Sequence, residues 1–278
     1  MPETSGATGM TAATAAAVAA APAPLLVERQ GAIATLTFNR PEALNALDVA
    51  TAQALLAALQ GLAQDGGVRA VLLRGAGRAF VAGGDLATLR ADPVQGARAL
   101  LEPLNAALLV LEQLDAPVIA QVHGAAAGAG LSLMLMCDFV LAAEGTKFNL
   151  AYINLGTSCD VGASWALPRL VGLRQALEIA LLGEALDADE ALRCGLVNRV
   201  LPAAELPAAA QAFAQRLAAG PTRAYGEMRR LLRTSFERDL AGQLQAEAQA
   251  FERCAHTADL REGIEAFFGR RKAVFGGA

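Results

Sequence analysis

The chain has 278 residues, enough for one large domain or a domain with an appendage. Hydrophobic residues make up 54% and aromatics only 5%, so Ala, Leu and Val must build the core, and a formal net charge of −4 gives no basic face for a nucleic acid. No apolar run reaches the roughly 18 residues that cross a bilayer; Gly124 to Cys137 comes nearest and is broken by small residues before Asp138.

Residues 1–24 are Ala-rich, low in complexity and free of arginine, which predicts a disordered tail rather than a signal or transit peptide. Leu25 to Glu28 and Ala32 to Asn39 read as two strands meeting at Gln30-Gly31 in a hairpin. Asp48 then caps a helix that runs to about Gln64 and stops at Asp65-Gly66-Gly67. Val68 to Arg74 is a buried strand, followed by the small-residue loop GAGRAFVAGGDL. A helix follows over Val94 to Leu114, then a strand over Pro117 to Val122. HGAAAGAG leads into a helix near Leu131 to Cys137, and Phe139 to Ala143 is another strand. Strands alternating with helices predict parallel pairing through right-handed crossovers, an α/β fold. Helices are expected over Ala163 to Val171, Arg174 to Leu182 and Asp187 to Cys194. Beyond Gly220-Pro221 the pattern is helical to about Phe268. That shift divides a core, 25–219, from a helical segment, 220–278, too thin to hold a core alone and so expected to pack on a neighbour or another subunit.

Residues that carry chemistry are few. Cys137, Cys159, Cys194 and Cys254 are scattered without C-x-x-C spacing, and only two histidines accompany them, which predicts a reduced, cytoplasmic protein with no metal and no bound cofactor. His123, before Gly124, reads as a turn residue, and His256 as a solvated one. GAGRAFVAGGDL lacks the lysine of a phosphate-binding loop, and GAAAGAG lacks the downstream acid of a dinucleotide site. Each is nevertheless a small-residue loop after a buried strand, able to present a backbone N–H, and two such groups aimed at one oxygen make an oxyanion hole. In NLGTSCDVGASW, Asp160 stands alone among uncharged residues, where it is either a turn cap or a working acid.

Five segments in order, FNRPEALNALD, GAGRAFVAGGDL, VHGAAAGAGLSL, CDFVLAAEGTKFNLAY and GASWALPRLVG, resemble the crotonase (enoyl-CoA hydratase/isomerase) superfamily. The resemblance runs from about Leu25 to Phe275. It implies a crotonase-like spiral of ββα turns and a C-terminal helical trimerisation region. It also implies a homotrimer or dimer of trimers, and an acyl-CoA thioester substrate in which coenzyme A is part of the substrate. By position it assigns the oxyanion-hole N–H groups to Ala82 and Ala129. Glu42, Ala43 and Leu44, with Gly84, Asp85 and Leu86, would line the nucleotide end of coenzyme A. Phe267 and Arg270, in AFFGRRKAVF, would reach the coenzyme A of an adjacent subunit.

The sequence departs from the hydratases of this superfamily in its acids. Their two glutamates correspond to Ser132 and Tyr152, which become substrate-pocket positions. Hydration needs one group to activate water and another to handle the α-carbon proton, so its loss is expected. Asp160 falls where some relatives carry a sole catalytic carboxylate: certain enoyl-CoA isomerases, a ring-epoxide phenylacetyl-CoA isomerase and a halobenzoyl-CoA dehalogenase. The resemblance therefore implies an enoyl-CoA isomerase with Asp160 as proton shuttle. The alternatives are a ring-modifying aromatic acyl-CoA isomerase, a hydratase-like enzyme, and a non-catalytic CoA- or RNA-binding homologue.

Overall fold

The computed structural model describes residues 22–278, so the first 21 residues of the expected tail lie outside it. The last two belong to the fold. Asn39 donates its backbone N–H to the Pro24 carbonyl (2.8 Å) and its side-chain amide to that of Ala23 (3.0 Å), which moves the tail boundary back from residue 24.

β1 (Leu25–Gln30) and β2 (Ile33–Phe38) form the expected antiparallel hairpin. A 3-10 turn (Pro41–Ala43) leads to α1 (Val49–Gln64), whose N-terminus is capped by Asp48 accepting the Thr51 N–H at 2.8 Å. After β3 (Ala70–Gly75) comes a short helix, α2 (Leu86–Ala91), which the sequence reading leaves as loop. Then α3 (Pro93–Gln113) starts where Asp92 accepts two N–H groups and Pro93 occupies the first turn, which needs no donor there. β4 (Val118–Val122) and β5 (Ala125–Ala127) precede α4 (Ala129–Leu135). That helix starts and ends two residues earlier than expected. β6 (Phe139–Ala143) and β7 (Lys147–Asn149) follow, then α5 (Ala163–Val171), α6 (Leu173–Leu182), α7 (Ala188–Arg193), β8 (Arg199–Leu201) and α8 (Leu206–Ala218). Three helices close the chain: α9 (Thr222–Thr234), α10 (Leu240–Ala255) and α11 (Ala258–Phe268).

The main sheet has the order β1-β2-β3-β4-β6-β8, parallel after the first pair, while β5 and β7 make a separate parallel pair. The parallel strands read as continuous apolar runs because both sheet faces are covered. Val71, Leu73, Val118, Ala120 and Val140 point into the larger core with α1, α3 and α4. Alternate residues Leu72, Ile119 and Leu141 pack against Leu206, Ala210 and Ala214 of α8. Each fully buried leucine or isoleucine contributes about 1.5–3 kcal/mol, so both faces of these strands add to the stability of the sheet. β5, β7 and β8 are three residues each, too short for alternation to reveal.

The composition shift at residue 220 is not a physical seam. Arg229 of α9 is buried and pairs with Asp138 (2.8 Å), which also takes Arg233 (2.9 Å) and the Val118 N–H (2.7 Å) at the root of β4. Breaking such a buried pair from one side is strongly destabilising. Arg69, just before β3, donates to the carbonyls of Gly220 (2.6 Å) and Phe275 (3.0 Å). Beyond α9 the chain buries little of itself: one residue of α10, Thr257 before α11, and two residues of α11.

Candidate active site

One wall of the site is backbone. After β3 the chain folds back so that Val81 bridges Ala126, and the Ala127 N–H reaches the Val81 carbonyl at 3.0 Å. Two glycines permit this approach. Gly128 takes φ 47°, which frees α4 to begin at Ala129, and a Cβ on Gly130 would lie 2.1 Å from the Val81 carbonyl oxygen. The buried Asn45 amide ties the first loop down by donating to the carbonyls of Ala76 and Ala79, both at 2.8 Å. His123 bonds the Gly77 carbonyl through Nε2 at 2.9 Å, a structural turn contact, and His256 is exposed.

Of the two expected donors, Ala129 is presented free. Its N–H opens α4, where no intrahelical partner exists, and it meets no acceptor among the described residues. Ala82 differs from expectation, because its N–H donates to the Leu44 carbonyl at 3.1 Å. Leu44 and Asn45 both take left-handed φ (51° and 59°), and this turn aims the Leu44 carbonyl at the loop. An oxyanion hole with two donors requires that contact to be exchanged for a substrate oxygen.

The second wall is made of side chains, tied to the first through Ser132 and the Gly128 carbonyl. Asp160 is half-buried, and among the described residues its carboxylate accepts from one group, the Tyr152 hydroxyl, which donates to Oδ1. No backbone N–H reaches the carboxylate among the described hydrogen bonds. The turn instead closes through the Asp160 carbonyl and the Ala163 N–H at 3.1 Å, so capping is not what this side chain does. The Tyr152 hydroxyl also meets Ser132 Oγ at 3.0 Å, and Ser132 Oγ reaches the Gly128 carbonyl at 3.1 Å. Ser132 has 0% exposure and Tyr152 9%. Burial raises the Asp160 pKa, only partly offset by the Tyr152 hydroxyl. Burial also raises that of Tyr152, helped by the Asp160 charge. Left-handed residues flank both ends of this loop, Ala151 (φ 55°) before Tyr152 and Val161 (φ 51°) after Asp160. A β-branched residue there is strained, and the surrounding structure must hold it. Sequence reading named all three side chains but not their connection, since residues 132, 152 and 160 share no helix or strand whose period would signal it.

The two segments expected at the nucleotide end of coenzyme A are joined through Arg40 and Asp85. Asp85 caps α2 through the Ala87 N–H (3.0 Å) and pairs with Arg40 (3.1 Å), which also pairs with Asp48 (3.3 Å). FNRPEALNALD is thereby tied to the Gly84-Asp85-Leu86 segment. Glu42 is exposed on the 3-10 turn beside the half-buried Ala43 and Leu44, and Leu86 is 51% exposed. Phe267 is 79% exposed and Arg270 is exposed, and neither is bonded to the rest of the site among the described residues. A cavity of about 510 Å³ lined by Trp165, Leu170, Met228, Leu232 and Phe236 holds none of the candidate residues, so the site is identified by its chemistry rather than by cavity size.

Comparison with known proteins places nearly the whole described chain in one family. A family model described as enoyl-CoA hydratase/isomerase matches residues 28–278. A probable enoyl-CoA hydratase of Rhodobacter capsulatus is 37% identical over 245 residues, covering 88% of this chain and 95% of that protein. A 1,2-epoxyphenylacetyl-CoA isomerase of Escherichia coli is 37% identical over 249 residues, with the same coverage of 88% and 95%. The crystal structure of a putative enoyl-CoA hydratase/isomerase from Mycobacterium abscessus superposes with a TM-score of 0.86 at 36% identity, covering 91% of this chain and all of the other.

Proposed function

The chain belongs to the enoyl-CoA hydratase/isomerase family, and from that premise we propose that it isomerises an acyl-CoA thioester with Asp160 as its single proton shuttle. The observation that carries this reading is the acid inventory of the site. Asp160 is a half-buried carboxylate with a raised pKa, while hydroxyls occupy the positions of Ser132 and Tyr152, where the hydratases it resembles carry acids. One carboxylate suffices for an allylic shift. Ala129, joined by Ala82 once released from Leu44, polarises the thioester carbonyl. Asp160 takes a proton from carbon, the electron pair moves onto the thioester oxygen as a dienolate, and the same acid returns the proton to a different carbon. A raised pKa brings the acid towards the range useful for both steps.

Relatives at equal identity carry both hydratase and isomerase names, one of them acting on a ring-epoxide CoA ester. The test is therefore a turnover screen on straight-chain 2-enoyl and 3-enoyl esters and ring-epoxide esters, with Asp160→Asn alongside. A shifted double bond or opened epoxide supports the reading, and net addition of water at a comparable rate overturns it in favour of a hydratase. The variant should keep CoA-ester binding and lose turnover by about 10²–10⁴, the usual share of acid–base catalysis. Assembly as a trimer or dimer of trimers belongs to the same proposal, since α10 and α11 expose Phe251, Phe267 and Phe268. Light scattering that gives a monomer at micromolar concentration would remove it.

A further inference from the structure

The three side chains of the acid wall end on the backbone wall. Ser132 Oγ contacts the Gly128 carbonyl, and that carbonyl and the Ala129 N–H are the two ends of one peptide group. We propose that Tyr152 and Ser132 are positioning residues that join the base and the oxyanion donor into one hydrogen-bonded unit, in which Tyr152 holds Asp160 Oδ1 so that Oδ2 alone exchanges the substrate proton. The inference rests on the isomerase reading above and deepens it.

The proton count gives the unit a direction. Three oxygen–oxygen contacts run from Asp160 to Tyr152, to Ser132, to the Gly128 carbonyl, and two hydroxyl hydrogens serve them. While Asp160 is ionised, the Tyr152 hydrogen lies on the carboxylate as a charge-assisted bond, and donating to a charge makes the tyrosine oxygen a better acceptor. The Ser132 hydrogen then lies on Tyr152. When Oδ2 takes the proton from carbon, the charge moves to the thioester oxygen and the Tyr152 bond to Oδ1 weakens. The Ser132 hydrogen turns to the Gly128 carbonyl, polarising that peptide as Ala129 meets the new oxyanion. Only hydroxyl rotations occur, and each hydroxyl keeps its own hydrogen. Tyr152 does not drain the shuttled proton, because burial and the adjacent charge hold its hydroxyl protonated.

The test is an Asp160 carboxyl titration by ¹³C NMR together with pH–rate profiles, in the wild type, Tyr152→Phe and Ser132→Ala. A hydrogen bond to a charged group holds the ionised form by enough to move a pKa by about one unit or more. Tyr152→Phe should raise the Asp160 pKa by that amount, move the acid limb of kcat to higher pH equally, and lower kcat roughly tenfold with KM little changed. Ser132→Ala should move both in the same direction by less. Melting temperatures identify a variant that misfolds, and the smaller Ser132→Ala change then decides by its titration. An Asp160 pKa that stays put in both variants overturns the inference even if Asp160→Asn is inactive. A titration that shifts as expected while Asp160→Asn turns over normally overturns the isomerase reading instead.

Discussion

The two walls of the site are built from different materials. The wall carrying Ala82 and Ala129 is backbone, shaped by where side chains are missing: Gly128 for its φ, Gly130 for its contact with Val81. The wall carrying Asp160 is three side chains from α4 and one loop, joined by hydroxyl bonds. A backbone wall tolerates alanine at the donor positions themselves, because the side chain plays no part in donating. A side-chain wall tolerates no change at the atom that moves the proton. Substitutions on the two walls should therefore fail in different ways, one by losing structure and the other by losing chemistry.

The largest effect expected is chemical, the loss of about 10²–10⁴ in turnover for Asp160→Asn with CoA-ester binding kept. Gly130→Ala should act through structure first, with a smaller effect on turnover. Alanine is favoured over glycine in a helix by about 1 kcal/mol. The new Cβ, however, would lie 2.1 Å from a backbone oxygen that cannot move aside as a flexible side chain does. Overpacking of that kind costs about 3 kcal/mol or more, so the clash wins, and melting should fall by roughly 5–10 °C. Turnover of the folded fraction should fall too, because the displaced loop carries Ala82. Thermal unfolding paired with turnover per folded molecule checks both variants. A Gly130→Ala protein that melts like the wild type would mean that the two loops are not held as tightly as their contacts imply.

The same contrast explains what the sequence could disclose. The strands of the main sheet other than β8, and α1, α3, α5 and α6, were legible within a few residues, because long apolar runs, caps such as Asp48 and breakers such as Gly66-Gly67 are local signals. The backbone wall was legible as a pair of small-residue loops, since glycine positions record where chains approach. What stayed hidden was relational. The donation from Ala82 to Leu44 depends on two left-handed residues, neither of them glycine. The three-residue strands β5, β7 and β8 exist through their partners rather than their own patterns. Asp160 alone read as a turn cap and became a working acid only through the resemblance; its carboxylate's link to Tyr152, eight residues away in a loop without period, had no sequence signal.

The smallest effect expected is on the stability of Asp160→Asn, and its sign separates the walls most sharply. The folded pKa of Asp160 lies above its unfolded value of about 4, because burial disfavours the carboxylate more than the Tyr152 hydroxyl favours it. The native state then holds this proton more tightly than the unfolded chain. Any stability linked to Asp160 is fully present below the unfolded pKa and is lost as pH rises through the folded one. Asparagine never ionises, and its carbonyl still accepts from Tyr152, although as a weaker, uncharged partner. Because the net shift is upward, relief of burial outweighs the lost charge assistance. At pH 7 to 8 the variant should therefore melt slightly above the wild type, and the gap should close as pH falls towards 4. Gly130→Ala should instead carry a deficit that hardly changes over the same range, since no titrating group enters the clash. Melting curves of the three proteins from pH 4 to pH 8 are the measurement. An Asp160→Asn protein that melts well below the wild type at every pH would make Asp160 a structural support of the turn, and the difference in kind between the two walls would disappear.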